Sequence, residues 1–92
     1  MNSEELSLIL KEGEGLKIEF KESFEPKSLA KELVAFANSE GGRIFLGIND
    51  KCDVKGIKIT NQLKSQIQDL ANNCDPNVKI QLTVFENIQR ER

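Results

Sequence analysis

Leu33-Val-Ala-Phe-Ala-Asn38-Ser-Glu-Gly41-Gly42-Arg43-Ile44-Phe-Leu-Gly47-Ile48-Asn49-Asp50 is the stretch whose reading decides the fold. Its first part ends an apolar run at helical spacing. Between Lys27 and Ser39, the side chains of Leu29, Ala30, Leu33, Val34, Phe36 and Ala37 fall on one arc of about 160° when residues are set 100° apart. Gly41-Gly42 stops that helix, because glycine enters the left-handed backbone region past a helix C-terminus at little cost. The run Ile44-Phe45-Leu46-Gly47-Ile48 that follows is apolar at successive positions, which predicts a central strand covered on both faces.

Working upstream, Glu25-Pro26 breaks the chain before the helix. Ahead of it, Leu16-Lys17-Ile18-Glu19-Phe20-Lys21 alternates strictly and predicts a strand with Leu16, Ile18 and Phe20 inward and a charged outer face of Lys17, Glu19 and Lys21. Ser3 is placed to cap a first helix, with Glu4 and Glu5 in its first turn and Leu6, Ile9 and Leu10 at helical spacing up to Gly13. Downstream, Asn49 to Asp53 is a polar turn, and Val54 to Ile57 reads as the return strand of a hairpin with a bulge at Gly56. Thr60 or Asn61 caps a third helix carrying Leu63, Ile67, Leu70 and Ala71, and Asp75-Pro76 stops it. Val78, Ile80, Leu82 and Val84 then alternate with Lys79, Gln81, Thr83 and Phe85 as a final strand with one wet face. The expectation is a two-layer α+β unit of about four strands and three helices, in the order helix-strand-helix-strand-strand-helix-strand.

The 92 residues leave room for one domain, 1–92, and a chain this short buries only roughly 60% of its unfolded surface. A partner surface is therefore expected, from a second copy or from a downstream domain of the same chain, with this piece at the N-terminal end of a longer protein. The charged tail from Glu86 to Arg92 offers no core residue beyond Ile88, in keeping with an interrupted end. With 38% hydrophobic and 30% charged residues the composition is that of a soluble domain, and no apolar stretch approaches the ~20 residues a membrane span needs. The acidic start lacks the layout of a secretory signal, and Cys52 and Cys74 form no C-x-x-C pair, so a cytoplasmic protein with reduced thiols is expected. Thirteen basic against fifteen acidic side chains give a net charge of -2, so contact with a polyanion must be local. The absence of histidine removes Ser-His-Asp and Cys-His catalysis and leaves carboxylate and lysine chemistry.

Three pieces in fixed order resemble the Schlafen AlbA-like DNA-binding domain: Glu14-Gly-Leu-Lys-Ile-Glu19-Phe20-Lys21; then Leu33 to Gly42 around Ala-Phe-Ala-Asn38; then Ile44-Phe-Leu-Gly47-Ile-Asn49-Asp50 with Gly56 closing the turn. The resemblance runs from about Glu12 to about Val84. Asn49 stands where that family commonly has aspartate, and the chain ends where the family's proteins usually continue. The resemblance implies a nucleic-acid-binding module of the kind found in transcriptional regulators and divergent helicase-related proteins. In the Schlafen branch it also implies metal-assisted RNA cleavage on three acids. It implies no ATP hydrolysis here, since no G-x-x-x-x-G-K-[ST] loop is present.

Three sets of candidate residues follow. Lys17, Lys21, Lys31 and Arg43 are a basic group for phosphate neutralisation, read against a solvated face with scattered ion pairs. Asn38, Ser39, Gly41 and Gly42 form a turn whose N–H groups and hydroxyl offer hydrogen bonds to phosphate, read against a plain helix C-cap. Glu14 and Glu19, with Asp50 or the Asn49 position as a third, resemble the acids of the Schlafen nuclease site. Those acids would need Mg²⁺ or Mn²⁺, and no other cofactor is expected. A DNA- or RNA-binding module is thus the leading expectation. The alternatives are a metal-dependent endoribonuclease, which this fragment is not expected to be, and a self-association module forming a dimer.

Overall fold

The computed structural model describes residues 3–85; the tail from Glu86 onward lies outside them. Helix α1 (Ser3–Glu12) leads to strand β1 (Ile18–Lys21), helix α2 (Pro26–Ala37), strand β2 (Arg43–Leu46) and helix α3 (Asn61–Asn72). The three helices fall where the periodicity places them, and their caps follow from the sequence. Gly13, with φ +81, ends α1 and donates its N–H to the Ile9 carbonyl. Pro26 opens α2, and the Thr60 hydroxyl accepts the Leu63 N–H at 2.9 Å to open α3.

β1 and β2 are parallel neighbours in a two-stranded sheet, registered Ile18 to Arg43 through Lys21 to Leu46. A parallel pair needs a crossover, and α2 is that crossover. Registered residues share a face, so the alternation sorts the core in two. Phe20 and Phe45 meet edge-to-face, centroids 5.9 Å apart, and pack with Ile18, Leu6, Ile9 and Leu10 on the α1 side. Ile44 and Leu46 pack on the other side against Leu29 and Leu33 of α2 and Ile67 and Ala71 of α3. β2 is thus apolar on both faces, as its continuous run predicts, and the sheet lies between α1 and the α2–α3 pair. The expected two layers become three.

That arrangement corrects the outer face assigned to β1. Glu19 and Lys21 register with Ile44 and Leu46, so they lie half-buried on the α2 side and not on an open wet surface. Leu16 is not part of the strand. It sits in a tight turn closed by Gly15 and Ile18, which exchange both backbone hydrogen bonds, and is 98% exposed.

Among the described residues the expected four strands reduce to two. The hairpin is a single antiparallel bridge, Ile48 to Val54, followed by a bulge in which the Gly47 carbonyl accepts the N–H groups of both Lys55 and Gly56. Left-handed backbone at Gly47 (φ +91) and Gly56 (φ +81) ends the ladder there, and a Cβ on Gly47 would lie 2.9 Å from the Gly56 carbonyl carbon. Residues 78–84 form no ladder. Val78 and Ile80 still bury one side against the α2–α3 core, while Leu82 and Val84 stay exposed. Alternation records which side chains find a core; backbone pairing needs an edge brought alongside.

Candidate nucleic-acid interface and acidic pair

The βαβ unit separates the predicted basic residues. Four residues of strand set Lys17 and Lys21 about 13 Å apart, at opposite ends of β1. At the N-terminal end, the Lys17 ammonium pairs with Glu40 at 3.0 Å, and the Lys17 carbonyl accepts the Arg43 N–H at 2.8 Å. Arg43 registers with Ile18, which puts its exposed side chain on the α1 face, opposite Lys21. At the C-terminal end, Lys21 donates from Nζ to the Ser28 hydroxyl of α2. Ser28, Lys27 and Lys31 line a shallow open depression with Phe24, Glu25 and Pro26. Lys27 and Lys31 are one helical turn apart and so neighbours on the helix surface. The structure therefore sets Lys21 against Ser28, on the end of α2 that carries Lys27 and Lys31, and leaves Lys17 and Arg43 at the other end of β1. Lys27 was missed by the sequence reading although its spacing to Lys31 was visible.

The two ends of α2 differ as anion sites. At the C-terminal end, the Phe36 carbonyl accepts the N–H groups of Ser39 (3.2 Å) and Gly41 (2.9 Å) and the Ser39 hydroxyl (3.1 Å). Asn38 donates its N–H to the Val34 carbonyl, and Gly42 lies against the Phe36 ring. This is helix C-cap chemistry at the negative end of the dipole. At the N-terminal end, Glu25 makes no side-chain cap. The first-turn N–H groups there favour negative charge.

The acidic residues converge only in part. Glu14 folds back from its loop so that Oε2 accepts the Phe20 N–H at 3.0 Å. That N–H belongs to the outer edge of β1, where Gly15 also closes off Ile18, so the edge is satisfied within the chain. The Glu19 carboxyl lies beside that of Glu14. Burial raises the Glu19 carboxyl above its ordinary range, the neighbouring Glu14 and the charge of Glu32 push the same way, and Lys21 opposes them. Glu32 of α2, not singled out in the sequence, is thus the third acid near this pair. Asp50 is exposed in the turn after β2, and the Asn49 side-chain oxygen accepts the N–H groups of Lys51 (2.9 Å) and Asp53 (3.0 Å), which commits it to that turn. A hard divalent cation needs several convergent oxygen ligands. Among the described residues, no group of three or more carboxylate or thiol side chains is placed to hold one. Glu14, Glu19 and Asp50 are thus not gathered into one group among the described residues. Cys52 and Cys74 are free thiols, and no described helix is long and apolar enough to cross a membrane.

The edge-capping role of Glu14 predicts that Glu14→Ala, which leaves a strand N–H without its acceptor, lowers stability by about 1 kcal/mol, or roughly 4–8 °C in melting temperature. Glu14→Gln keeps an acceptor oxygen and also relieves the repulsion with Glu19, so it should melt at or above the parent. Circular-dichroism melts that place the alanine variant level with the glutamine variant would contradict the role.

A carboxyl whose folded-state value is raised binds its proton more readily when folded, so its stabilisation is complete below the ordinary glutamate range and is lost as pH rises through the raised value. Glu19→Gln keeps the shape and offers Glu14 an uncharged N–H. The variant should melt above the parent at neutral pH and converge with it in mild acid. A difference unchanged across that pH range would show that charge at Glu19 is not the cause.

A sequence profile of the family described as Schlafen, AlbA_2 matches residues 14–91, taking in β1, α2, β2, α3 and the segment that follows. No solved structure matches the chain. With most of its length matched from the acidic loop onward, the chain belongs to the Schlafen AlbA_2 family.

Proposed function

We propose that the chain is a cytoplasmic nucleic-acid-binding module of a regulatory or helicase-related protein, and that it grips the sugar–phosphate backbone through Lys21, Lys27 and Lys31. The observation that carries this reading is the gathering of those lysines around Ser28 and the uncapped N-terminal end of α2. In a chain of net charge -2, such a local concentration is what a phosphate contact requires. Family membership supports it. Arg43, and Lys17 shared with Glu40, are outlying contacts, with Asn38, Ser39, Gly41 and Gly42 beside them. The nuclease alternative would need a third oxygen ligand beside Glu14 and Glu19, and Asp50 stands apart in its turn.

Affinity for DNA or RNA should fall steeply with salt. Lys27→Ala combined with Lys31→Ala should weaken it and reduce the slope of log K against log salt by roughly one to two. Fluorescence anisotropy at two salt concentrations measures both. Unchanged affinity and slope in the double variant would remove this surface from the binding site.

A second reading, self-association, is favoured by the contrast between the sheet's edges. The β1 edge is closed by Glu14 and Gly15, whereas no described strand pairs with the other edge of β2, which borders a cavity lined also by residues 77–85. An unpaired edge is a template for another strand. Light scattering should return a mass rising with concentration from 10.4 kDa towards twice that value. A constant 10.4 kDa would end this reading.

A further inference from the structure

We infer that the ligand of the lysine-lined depression is a single-stranded nucleic acid, one of whose bases stacks on Phe24; this rests on the binding reading above and specifies its ligand. The chain has five phenylalanines and no tryptophan or tyrosine, so the means of base stacking are few. Four of the five lie away from the lysine-lined depression. Phe20 is 5% exposed and engaged edge-to-face with Phe45. Phe85 packs on the α1-side core, and the Phe36 ring lies against Gly42, where even a Cβ would come within 2.5 Å of it.

Phe36, Phe45 and Phe85 line a larger cavity with Arg43, Lys55, Lys64 and Lys79, and Phe24 is the ring that lines the depression of Lys27 and Lys31. This ring is half-buried, packing on the α2–α3 core while also lining the depression with Lys27, Ser28 and Lys31. Anchoring on the core holds the ring at little further cost in side-chain entropy, and two lysines one helical turn apart lie ready for backbone phosphates. A ring can meet a base face only when that base is out of a duplex stack, so an aromatic set among lysines selects unpaired nucleotides. Stacking is tolerant of base identity and of the sugar, so the shared chemistry is a single strand, DNA or RNA.

The test uses the whole 92-residue chain with labelled oligothymidylate, oligouridylate and a DNA duplex, each titrated by anisotropy, and the same single strands carrying 2-aminopurine. Phe24→Leu retains an apolar side chain on the core, and Phe24→Tyr retains the ring. Expected is tighter binding of single strands than of duplex by the parent. The leucine variant should lose about five- to tenfold in single-strand affinity and the 2-aminopurine quenching, with duplex affinity unchanged, and the tyrosine variant should behave as the parent. Preference for oligothymidylate or oligouridylate then identifies the strand as DNA or RNA. If Phe24→Leu binds single strands as the parent does while the Lys27, Lys31 double variant binds weakly, the stacking inference fails and the binding reading stands. If neither variant alters binding, both fall. Equal loss of single-strand and duplex affinity in Phe24→Leu, with a lowered melting temperature, would make Phe24 a core residue only and overturn the inference.

Discussion

The parallel pairing of β1 with β2 is the constraint on which the rest of the molecule depends. Parallel strands cannot be joined by a tight turn, so the chain must travel back along the sheet, and α2 makes that return. Once α2 lies on one face of the pair, Leu29 and Leu33 meet Ile44 and Leu46, α3 closes on the same side with Ile67 and Ala71, and α1 is left to cover Phe20 and Phe45 on the other. The pairing also puts both strand C-termini at one end. Lys21 reaches Ser28 there, and Gly47 and Ile48 both donate their N–H groups to the Lys21 carbonyl.

The same geometry gives the acidic residues a structural meaning. A strand edge left bare invites pairing with another chain. The β1 edge is closed from within by a Glu14 carboxylate and by Gly15, at the cost of bringing Glu14 against Glu19 with Glu32 nearby. The nearby Lys21 ammonium opposes that repulsion. These are the acids that a resemblance alone would assign to catalysis, yet one of them already spends an oxygen on the backbone.

Charge is distributed along α2 in a way that net charge conceals. Its C-terminal end turns its exposed donors back onto the Phe36 carbonyl, while its N-terminal end leaves first-turn donors beside lysines. The Ala-Asn-x-x-Gly-Gly turn, the most recognisable feature of the sequence, serves as the device that ends α2 and delivers the chain to β2. The lysines that gather lie at the other end of the helix.

The sequence by itself determined the three helices, their caps at Gly13, Pro26 and Thr60, the core positions Leu6, Phe20, Leu29, Leu33, Ile67 and Ala71, and the family. Periodicity and capping act between residues a few positions apart, so they are written locally. Only the tertiary structure decided that β1 runs parallel to β2, that Glu19 and Lys21 turn toward α2 and not to solvent, that residues 54–57 and 78–84 remain outside a ladder, and that Lys21 bonds Ser28 at the end of α2 that carries Lys27 and Lys31 while Arg43 lies at the other end of the sheet. Each of those outcomes depends on which distant segments approach one another. Strand alternation specifies a buried side without naming the partner, and a charge pattern specifies a face without saying what lies across from it.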